Sequence, residues 1–355
     1  MKHTHLHTRL LALLLCCALV LPLSACGEAK STTQQIFAMD TVMDLTAYGK
    51  KADDGINAAI SIINSMDTLL DPENERSKTY EINHAMGSPV VVNEQIAKML
   101  RTALTVYERT NGAFDLTTYP LSKLWGFIDQ NYRVPSDAEI ERLLPCVDMS
   151  KVQLAATDDS ANSLVTMPAD MALSFGAVAK GCASDYAIQA MRAAGVTSGV
   201  VSLGGNVQTL GKKPDGSDWR IAVKDPADPS KFLGVLTAAD TFVVTSGIYE
   251  RGFEENGVRY HHIIDPKTGK PAESGLVSVT VVCGDGAWAD ALSTACFVLG
   301  EAGSLALRDT LAAEKNLRIE LILVTDDAHV RYTAGLAERF EPSEEGTYVY
   351  EAIIA

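Results

Sequence analysis

Two oxygen-bearing side chains at helical spacing form the first candidate site. Asp290 and Thr294 lie in an apolar stretch from Ala289 to Leu299 that is typical of a helix. Residues four apart share one helix face, and a carboxylate beside a hydroxyl offers the oxygen ligands that Mg²⁺ prefers. An aspartate that stabilises the helix dipole above a packed threonine would have the same spacing. Taken alone, the pair favours this structural role over a metal site.

A run of small residues from Gly176 to Gly181 forms a second candidate site. It follows a predicted strand and leads into a predicted helix that begins at Lys180. Glycine lets a ligand approach the backbone, and a helix N-terminus beside a lysine favours phosphate. A plain tight turn would use the same residues, and the run is not a Walker A sequence.

Two turns, a histidine pair and an aromatic segment are further candidates. Gly204-Gly205-Asn206 and Thr245-Ser246-Gly247 each follow a predicted strand, where an ordinary turn is the alternative. His261 and His262 are adjacent on a predicted strand, so their side chains must point in opposite directions. At most one of them can therefore face a given site. The aromatic-rich segment at 113–127 is equally consistent with core packing.

In chain order, these segments resemble the motifs of the ApbE family of FAD:protein FMN transferases. The resemblance covers roughly residues 36–325, and it is the shared order of the motifs that makes it specific. Two residues depart from the family pattern: Asp40 replaces a Gly, and Ser174 replaces a residue that is often Asp. The matching segments are Met39-Asp40-Thr41, Ala113-Phe114-Asp115, Pro120-Leu121, Trp125-Gly126-Phe127, Ser174 to Gly181, Gly204-Gly205-Asn206, Thr245-Ser246-Gly247, His262 to Pro266 and Ala289 to Ala295.

The resemblance implies a ligand set for each part of the site. Mg²⁺ would be held by the side chains of Asp290 and Thr294 and by the backbone carbonyl of Ala177. His262 would lie near the reacting phosphates, and either His262 or Asp290 could accept a proton. The residues implied to contact FAD are Met39, Ala113, Phe114, Asp115, Ser174, Lys180 and Ile264.

The implied reaction is the Mg²⁺-dependent transfer of FMN from FAD to a threonine or serine hydroxyl of an acceptor flavoprotein. AMP would be released. The expected acceptor belongs to a membrane electron-transfer complex, such as a quinone-reductase or Rnf-type subunit. Two alternatives remain: a Mg²⁺-dependent FAD pyrophosphatase that yields FMN and AMP, and a non-catalytic FAD-binding lipoprotein.

The elements that must position these residues alternate between strands and helices without a clean βαβ repeat. We therefore expect an α+β fold, a single compact mixed α/β catalytic domain of T-fold-like type and not a Rossmann sheet. No GxGxxG motif follows a predicted strand. Strands are predicted at 37–48, 171–175, 199–203, 219–223, 241–245, 277–283 and 319–325, and helices at 55–70, after Asn93 as far as Asn111-Gly112, and at 137–144, 180–194 and 289–299.

The N-terminus predicts export and lipid anchoring. Lys2 and Arg9 precede an apolar run that ends in Leu23-Ser24-Ala25-Cys26, which resembles a bacterial lipobox. We expect residues 1–25 to be a signal peptide, Cys26 to carry lipid, residues 26–35 to form a polar tether and residues 36–355 to form the domain. The predicted location is the extracytoplasmic face of the cell membrane. An ordinary signal peptide with an incidental cysteine is the alternative.

Charge and cysteine spacing exclude other classes of function. The formal net charge is −15, and it becomes −17 once residues 1–25, with two basic and no acidic residues, are removed. Such an acidic chain repels phosphate backbones, so we expect no nucleic-acid partner. Cys146, Cys182, Cys283 and Cys296 lack CxxC spacing; buried free thiols are favoured over disulfides, and zinc is not expected.

Overall fold

The protein is described here by a computed structural model, which covers residues 30–353. The residues of the expected signal peptide and Cys26 lie outside this range. The strands are β1 (Ser31–Ala38), β2 (Thr41–Tyr48), β3 (Val90–Asn93), β4 (Gln153–Ala156), β5 (Asn162–Thr166), β6 (Gly199–Leu203), β7 (Asn206–Leu210), β8 (Trp219–Lys224), β9 (Phe232–Ala238), β10 (Phe242–Gly247), β11 (Gly252–Glu255), β12 (Val258–His261), β13 (Leu276–Cys283), β14 (Ile319–Thr325), β15 (His329–Thr333), β16 (Phe340–Pro342) and β17 (Val349–Ile353).

Seven α-helices are interspersed with these strands in the described part of the chain. They are α1 (Ala52–Leu70), α2 (Lys78–Asn83), α3 (Glu94–Arg109), α4 (Tyr119–Leu124), α5 (Asp137–Leu143), α6 (Ala179–Ala193) and α7 (Gly286–Lys315). Local signals define several ends: the Asn93 side chain accepts from the Ile96 N–H at 3.1 Å and caps α3. Asn111 and Gly112, both with positive φ, follow the end of α3, as predicted.

A nine-stranded sheet in the order β1-β2-β6-β7-β10-β13-β14-β15-β17 forms the centre of the fold. Among its described strands β15 and β17 are the only parallel neighbours, whereas pairs such as β10 and β13 are antiparallel. Smaller sheets are formed by β16-β9-β8, by β3-β5-β4 and by the β11–β12 hairpin. A sheet of this kind is not a doubly wound Rossmann sheet.

Both faces of the central sheet are covered. Helices α1, α6 and α7 pack together on one face, where they bury side chains such as Val281 and Leu323. On the other face, Val282 and Ile322 pack in a second cluster with residues of β8, β9 and β16. Because successive side chains of a strand point to opposite faces, a strand buried on both sides reads as a continuous apolar run. This explains the apolar sequences of β13 and β14.

The fold confirms the predicted mixed α/β class in one compact domain, with differences in detail. The predicted strand at 37–48 is two strands, because Met39 and Asp40 have φ of 48° and 56° and form a hairpin turn. Residues 31–35, expected in the tether, belong to β1. No strand forms at 171–175, because the backbone of Leu173 is hydrogen-bonded to the Asn83 side chain and the Ser174 N–H donates to the Leu116 carbonyl oxygen instead of to a neighbouring strand. The predicted helix at 289–299 extends over 286–315, interrupted at Gly300 where φ is 72°.

The cysteines and the longest helix fit a folded core. All four described cysteines are free thiols, as predicted, and all but Cys146 are buried. By length and composition α7 could cross a membrane, but 56% of its most apolar stretch is buried within the domain. Its buried contacts with β10, β13 and α6 are those of a core helix.

Candidate active site

One cavity contains the candidate residues from five separated parts of the chain. Its volume is about 560 Å³, within the range of small-molecule sites. Every cofactor, metal and catalytic residue predicted for residues 30–353 lines it: Met39, Ala113, Phe114, Asp115, Ser174, Ala177, Lys180, His262, Ile264, Asp290 and Thr294. These segments are far apart in the sequence, and the tertiary fold brings them together around one cavity.

A close crossing of α6 and α7 positions Asp290. A Cβ atom on Gly181 would lie 1.9 Å from the Gly286 carbonyl oxygen, and one on Gly286 would lie 2.1 Å from the Gly181 carbonyl oxygen. Only glycine at both positions allows this approach. The Gly181 N–H then donates to Asp290 Oδ2 at 2.9 Å. The crossing therefore joins the start of α6 to the predicted metal ligand on α7.

A hydroxyl pair on the adjacent strand supports this part of α7. Ser293 Oγ donates to the Asp290 carbonyl oxygen at 2.8 Å and lies 2.7 Å from Ser246 Oγ of β10. Ser246, in the Thr245-Ser246-Gly247 segment, also lines the cavity, as do Gly204 and Asn206 of the other predicted turn. Both segments thus contribute to the cavity wall, although Thr245-Ser246-Gly247 is the end of strand β10 and not a turn.

The chemistry of this donor set fits Mg²⁺. Asp290 is only 3% exposed. Within residues 30–353 its carboxylate accepts a single hydrogen bond, at Oδ2, so Oδ1 is available for another partner. Thr294 and Ala177 line the same cavity and add neutral oxygen atoms. No described group of three or more His, Cys, Asp or Glu side chains could hold a metal. A Mg²⁺ ion bound by one carboxylate, with substrate phosphates and water, requires no such group.

Only one of the two histidines faces the cavity, as predicted, although β12 ends at His261 and His262 is the first residue after the strand. His261 is buried, with its ring edge against Phe297 at a centroid distance of 5.3 Å, and its Nε2 lies 3.2 Å from the Ala272 carbonyl oxygen. His262 lines the cavity instead. Its Nδ1 lies 3.2 Å from the Arg251 carbonyl oxygen. Because a carbonyl oxygen only accepts, Nδ1 carries the proton and Nε2 has a free lone pair.

Burial keeps His262 neutral. Desolvation, reinforced by the positive charges of Arg251 and Lys180, lowers the pKa of His262 to about 3. The imidazole is therefore uncharged near neutral pH. A neutral imidazole with a free Nε2 can accept a proton inside the cavity.

Glu250 and Arg251 are cavity residues that the sequence analysis missed. The Glu250 side chain is open to the cavity, yet desolvation by the surrounding protein raises its pKa, and the charges of Lys180, Lys224 and Arg251 oppose this rise. Arg251 Nη2 donates to the Asp40 carbonyl oxygen at 3.3 Å. These residues follow the Thr245-Ser246-Gly247 motif by only a few positions. Two adjacent charged residues between the motifs at 245–247 and 262–266 could have indicated these cavity residues from the sequence.

Asp115 organises the cavity wall through internal hydrogen bonds. Its Oδ1 accepts from the Thr117 N–H at 2.7 Å and its Oδ2 accepts from the Met149 N–H at 2.9 Å. Burial raises the pKa of this carboxyl group above its usual value, and the hydrogen bonds oppose the rise. The side chain thus holds the loop that carries Phe114 against the cavity. Ser174 plays a smaller part, with its Oγ accepting from the Gly176 N–H at 3.2 Å.

A polar contact closes another side of the cavity. Glu73, which follows α1, accepts hydrogen bonds from the Tyr119 hydroxyl and from Lys123 Nζ at 2.9 Å. Glu73 and Tyr119 both line the cavity, and neither was predicted. The loop after α1 has no aromatic residue between Asp71 and Ser77. Tyr119 supplies an aromatic ring at this part of the cavity wall instead.

Two proteins of known name are similar to this chain over most of its length. The FAD:protein FMN transferase of Treponema pallidum is 31% identical over 334 residues, which cover 89% of this chain and 91% of that protein. The transferase of the same name from Klebsiella pneumoniae is 34% identical over 293 residues, covering 82% and 88% of the two chains.

Solved structures have the same fold. The crystal structure of an ApbE protein from Thermotoga maritima has a TM-score of 0.75 at 32% identity, covering 89% of this chain and 97% of that one. The flavin transferase ApbE from Vibrio cholerae has a TM-score of 0.73 at 25% identity, covering 84% and 95%. The model of the ApbE family matches residues 39–317. This range contains every cavity residue described above, and the chain therefore belongs to the ApbE family.

Proposed function

We propose that this protein is a Mg²⁺-dependent FAD:protein FMN transferase that attaches FMN to a threonine or serine hydroxyl of an acceptor flavoprotein and releases AMP. One observation carries the proposal: all predicted site residues between Met39 and Thr294 line a single cavity of about 560 Å³. Relatives that are 31% and 34% identical over most of the chain have this transferase name. The metal, the acceptor residue and the AMP product are the parts that experiment must test.

The reaction breaks one bond of the FAD pyrophosphate and forms one phosphoester. The acceptor hydroxyl oxygen attacks the phosphorus on the FMN side, and the anhydride bond breaks. AMP leaves with the bridging oxygen and the electron pair, and FMN remains attached to the acceptor through its phosphate. The hydroxyl proton must go to a base of the enzyme.

We assign the base to His262. Its Nδ1 is engaged with the Arg251 carbonyl oxygen at 3.2 Å, so Nε2 is the atom that can accept the proton. Its lowered pKa, about 3, keeps the ring neutral at neutral pH, so the Nε2 lone pair is not already protonated. Asp290 is less suited to this role, since its Oδ2 is held by the Gly181 N–H at 2.9 Å and its Oδ1 would be engaged by the metal.

Asp290, Thr294 and the carbonyl oxygen of Ala177 would hold Mg²⁺. When bound, the ion would neutralise charge that develops on the pyrophosphate. Ala179 and Lys180 of the first turn of α6 line the same cavity, and the N-cap residue of that helix, Val178, makes no side-chain cap. The helix dipole and the ammonium group both favour a phosphate at this end.

We also propose that the enzyme works on the extracytoplasmic face of the cell membrane, anchored by lipid at Cys26. The apolar run and Leu23-Ser24-Ala25-Cys26 support this location. A membrane electron-transfer subunit of quinone-reductase or Rnf type would then be within reach as the acceptor.

Incubation with FAD, MgCl₂ and a recombinant quinone-reductase flavoprotein subunit tests the proposal. We expect AMP in the supernatant and an equal amount of flavin that stays fluorescent on the acceptor band after denaturing electrophoresis. AMP with free FMN and an unlabelled acceptor would instead identify a FAD pyrophosphatase. Binding of FAD without AMP release would identify a non-catalytic flavin-binding protein.

A further inference from the structure

The β1–β2 hairpin has one exposed apolar pair, and it lies next to the cavity. Phe37 and Val42 are directly opposite each other across the two strands and are 71% and 51% exposed. The neighbouring pairs on this outer face are polar and hydrogen-bonded: Gln35 with Asp44 at 2.8 Å, and Thr33 with Thr46 at 3.0 Å. The outer face therefore changes from polar to apolar towards the hairpin turn.

The same turn forms part of the cavity wall. Met39, Asp40 and Thr41 connect the two strands and all line the cavity. Phe37 is separated from this segment by Ala38 alone, and Val42 follows it directly, so the apolar pair lies within two residues of cavity-lining positions. A partner seated on the pair would be adjacent to the reaction site.

Two contacts connect the turn to the proposed base. Arg251 Nη2 donates to the Asp40 carbonyl oxygen at 3.3 Å, and the Arg251 carbonyl oxygen faces His262 Nδ1 at 3.2 Å. Arg251 thus holds the hairpin turn and His262 at one edge of the cavity. A partner bound to the hairpin would be held at a set position relative to His262.

We propose that Phe37 and Val42 form a docking surface for the acceptor protein, which would present its hydroxyl to the cavity from this side. This inference rests on the proposed transferase function, since that function requires a protein to reach the cavity opening. The charge of the hairpin argues against a lipid surface as the occupant: Asp40 and Asp44 are exposed next to the pair, and anionic headgroups would be repelled. An exposed apolar pair with a polar surround is typical of a protein contact.

The test replaces both side chains with threonine in the full chain, as Phe37→Thr with Val42→Thr. Threonine is β-branched, a shape that strands favour, and both positions face solvent, so the fold should be retained. With the quinone-reductase subunit as acceptor, we expect its KM to rise by about tenfold or more, as for loss of central interface anchors. The kcat at saturating acceptor and the affinity for FAD should stay at wild-type values.

Val349→Thr is the matched control, because Val349 is 49% exposed and lies on β17 at the opposite edge of the same sheet. An unchanged KM in the double variant, or a KM equally raised in the control, overturns the docking surface. A weaker affinity of the double variant for FAD would assign the pair to FAD binding and overturn the docking surface. If the wild type sediments as a dimer and the double variant does not, the pair serves self-association, which also overturns the docking surface.

Direct binding separates this inference from the proposed function. If wild-type enzyme binds the acceptor subunit without labelling it, the transferase proposal fails, and weaker binding of the double variant still supports the docking surface. If wild-type enzyme labels the acceptor and the double variant binds and labels it equally well, only the docking surface fails. Absence of both binding and labelling in the wild type overturns both.

Discussion

Replacement of Asp290 by asparagine separates its proposed metal role from its structural role. The Asp290 side chain is 3% exposed and accepts the Gly181 N–H at 2.9 Å. An asparagine can still accept this hydrogen bond through its carbonyl oxygen, but it removes the only anionic protein ligand proposed for Mg²⁺. Asp290→Ala removes both functions and leaves a buried N–H group without a partner.

The two substitutions should therefore differ in stability and agree in activity. Loss of the hydrogen bond to Gly181 in Asp290→Ala should lower the free energy of unfolding by about 1–3 kcal/mol, whereas Asp290→Asn should change it by less than about 1 kcal/mol. Both variants should lose the several kcal/mol by which the metal stabilises charge in the transition state. A loss of about 3 kcal/mol corresponds to a fall of about a hundredfold in the rate of AMP release. Thr294→Ala should be milder, because water can replace a neutral hydroxyl ligand.

Three measurements on the same preparations check this reasoning. Urea unfolding gives the free energy, AMP release from FAD over a range of MgCl₂ gives the activity, and electron paramagnetic resonance of added Mn²⁺ gives metal binding without turnover. A stable Asp290→Asn protein that binds Mn²⁺ and releases AMP at the wild-type rate would refute the metal assignment. Asp290 would then serve only to cap α6 and to stabilise α7.

Further predictions concern packing, pH and anchoring. Gly286→Ala should lower the free energy of unfolding by about 3 kcal/mol, because its Cβ would lie 2.1 Å from the Gly181 carbonyl oxygen, whereas Gly284→Ala, with nothing within 4 Å, should be neutral in the same urea titration. Burial lowers the pKa of His261 to about 4 and that of His262 to about 3, so the unfolded chain takes up protons first and stability should fall as pH drops from about 6.5 towards 4; urea midpoints that stay constant between about pH 7.5 and about pH 5 would contradict this. Cys26→Ser should release the protein from the membrane fraction, and retention equal to that of the wild type would rule out the lipid anchor.

Local patterns in the sequence were sufficient for features that depend on neighbouring residues. Asn93 caps α3 because its side chain accepts a hydrogen bond from the N–H of Ile96, three residues further along the chain. The rule that adjacent strand residues alternate in direction predicted that at most one of His261 and His262 faces the site, and only His262 lines the cavity. The order of the motifs from Met39 to Ala295 identified the family, and with it the residues that line the cavity. Each of these inferences needed only spacing along the chain or order within it.

The tertiary structure decided what depends on contacts between distant segments. The hairpin turn at Met39 and Asp40 was missed because its residues are not the usual glycines, and Asp40 tolerates the positive φ that the turn requires. Glu250 and Arg251 gained their place in the site only through the folding of the segment after β10 against the turn of the β1–β2 hairpin, where Arg251 meets Asp40. Likewise, the Gly181–Gly286 crossing brings Asp290 to α6 across more than a hundred residues. Such convergence depends on packing of the whole core, which no local spacing specifies.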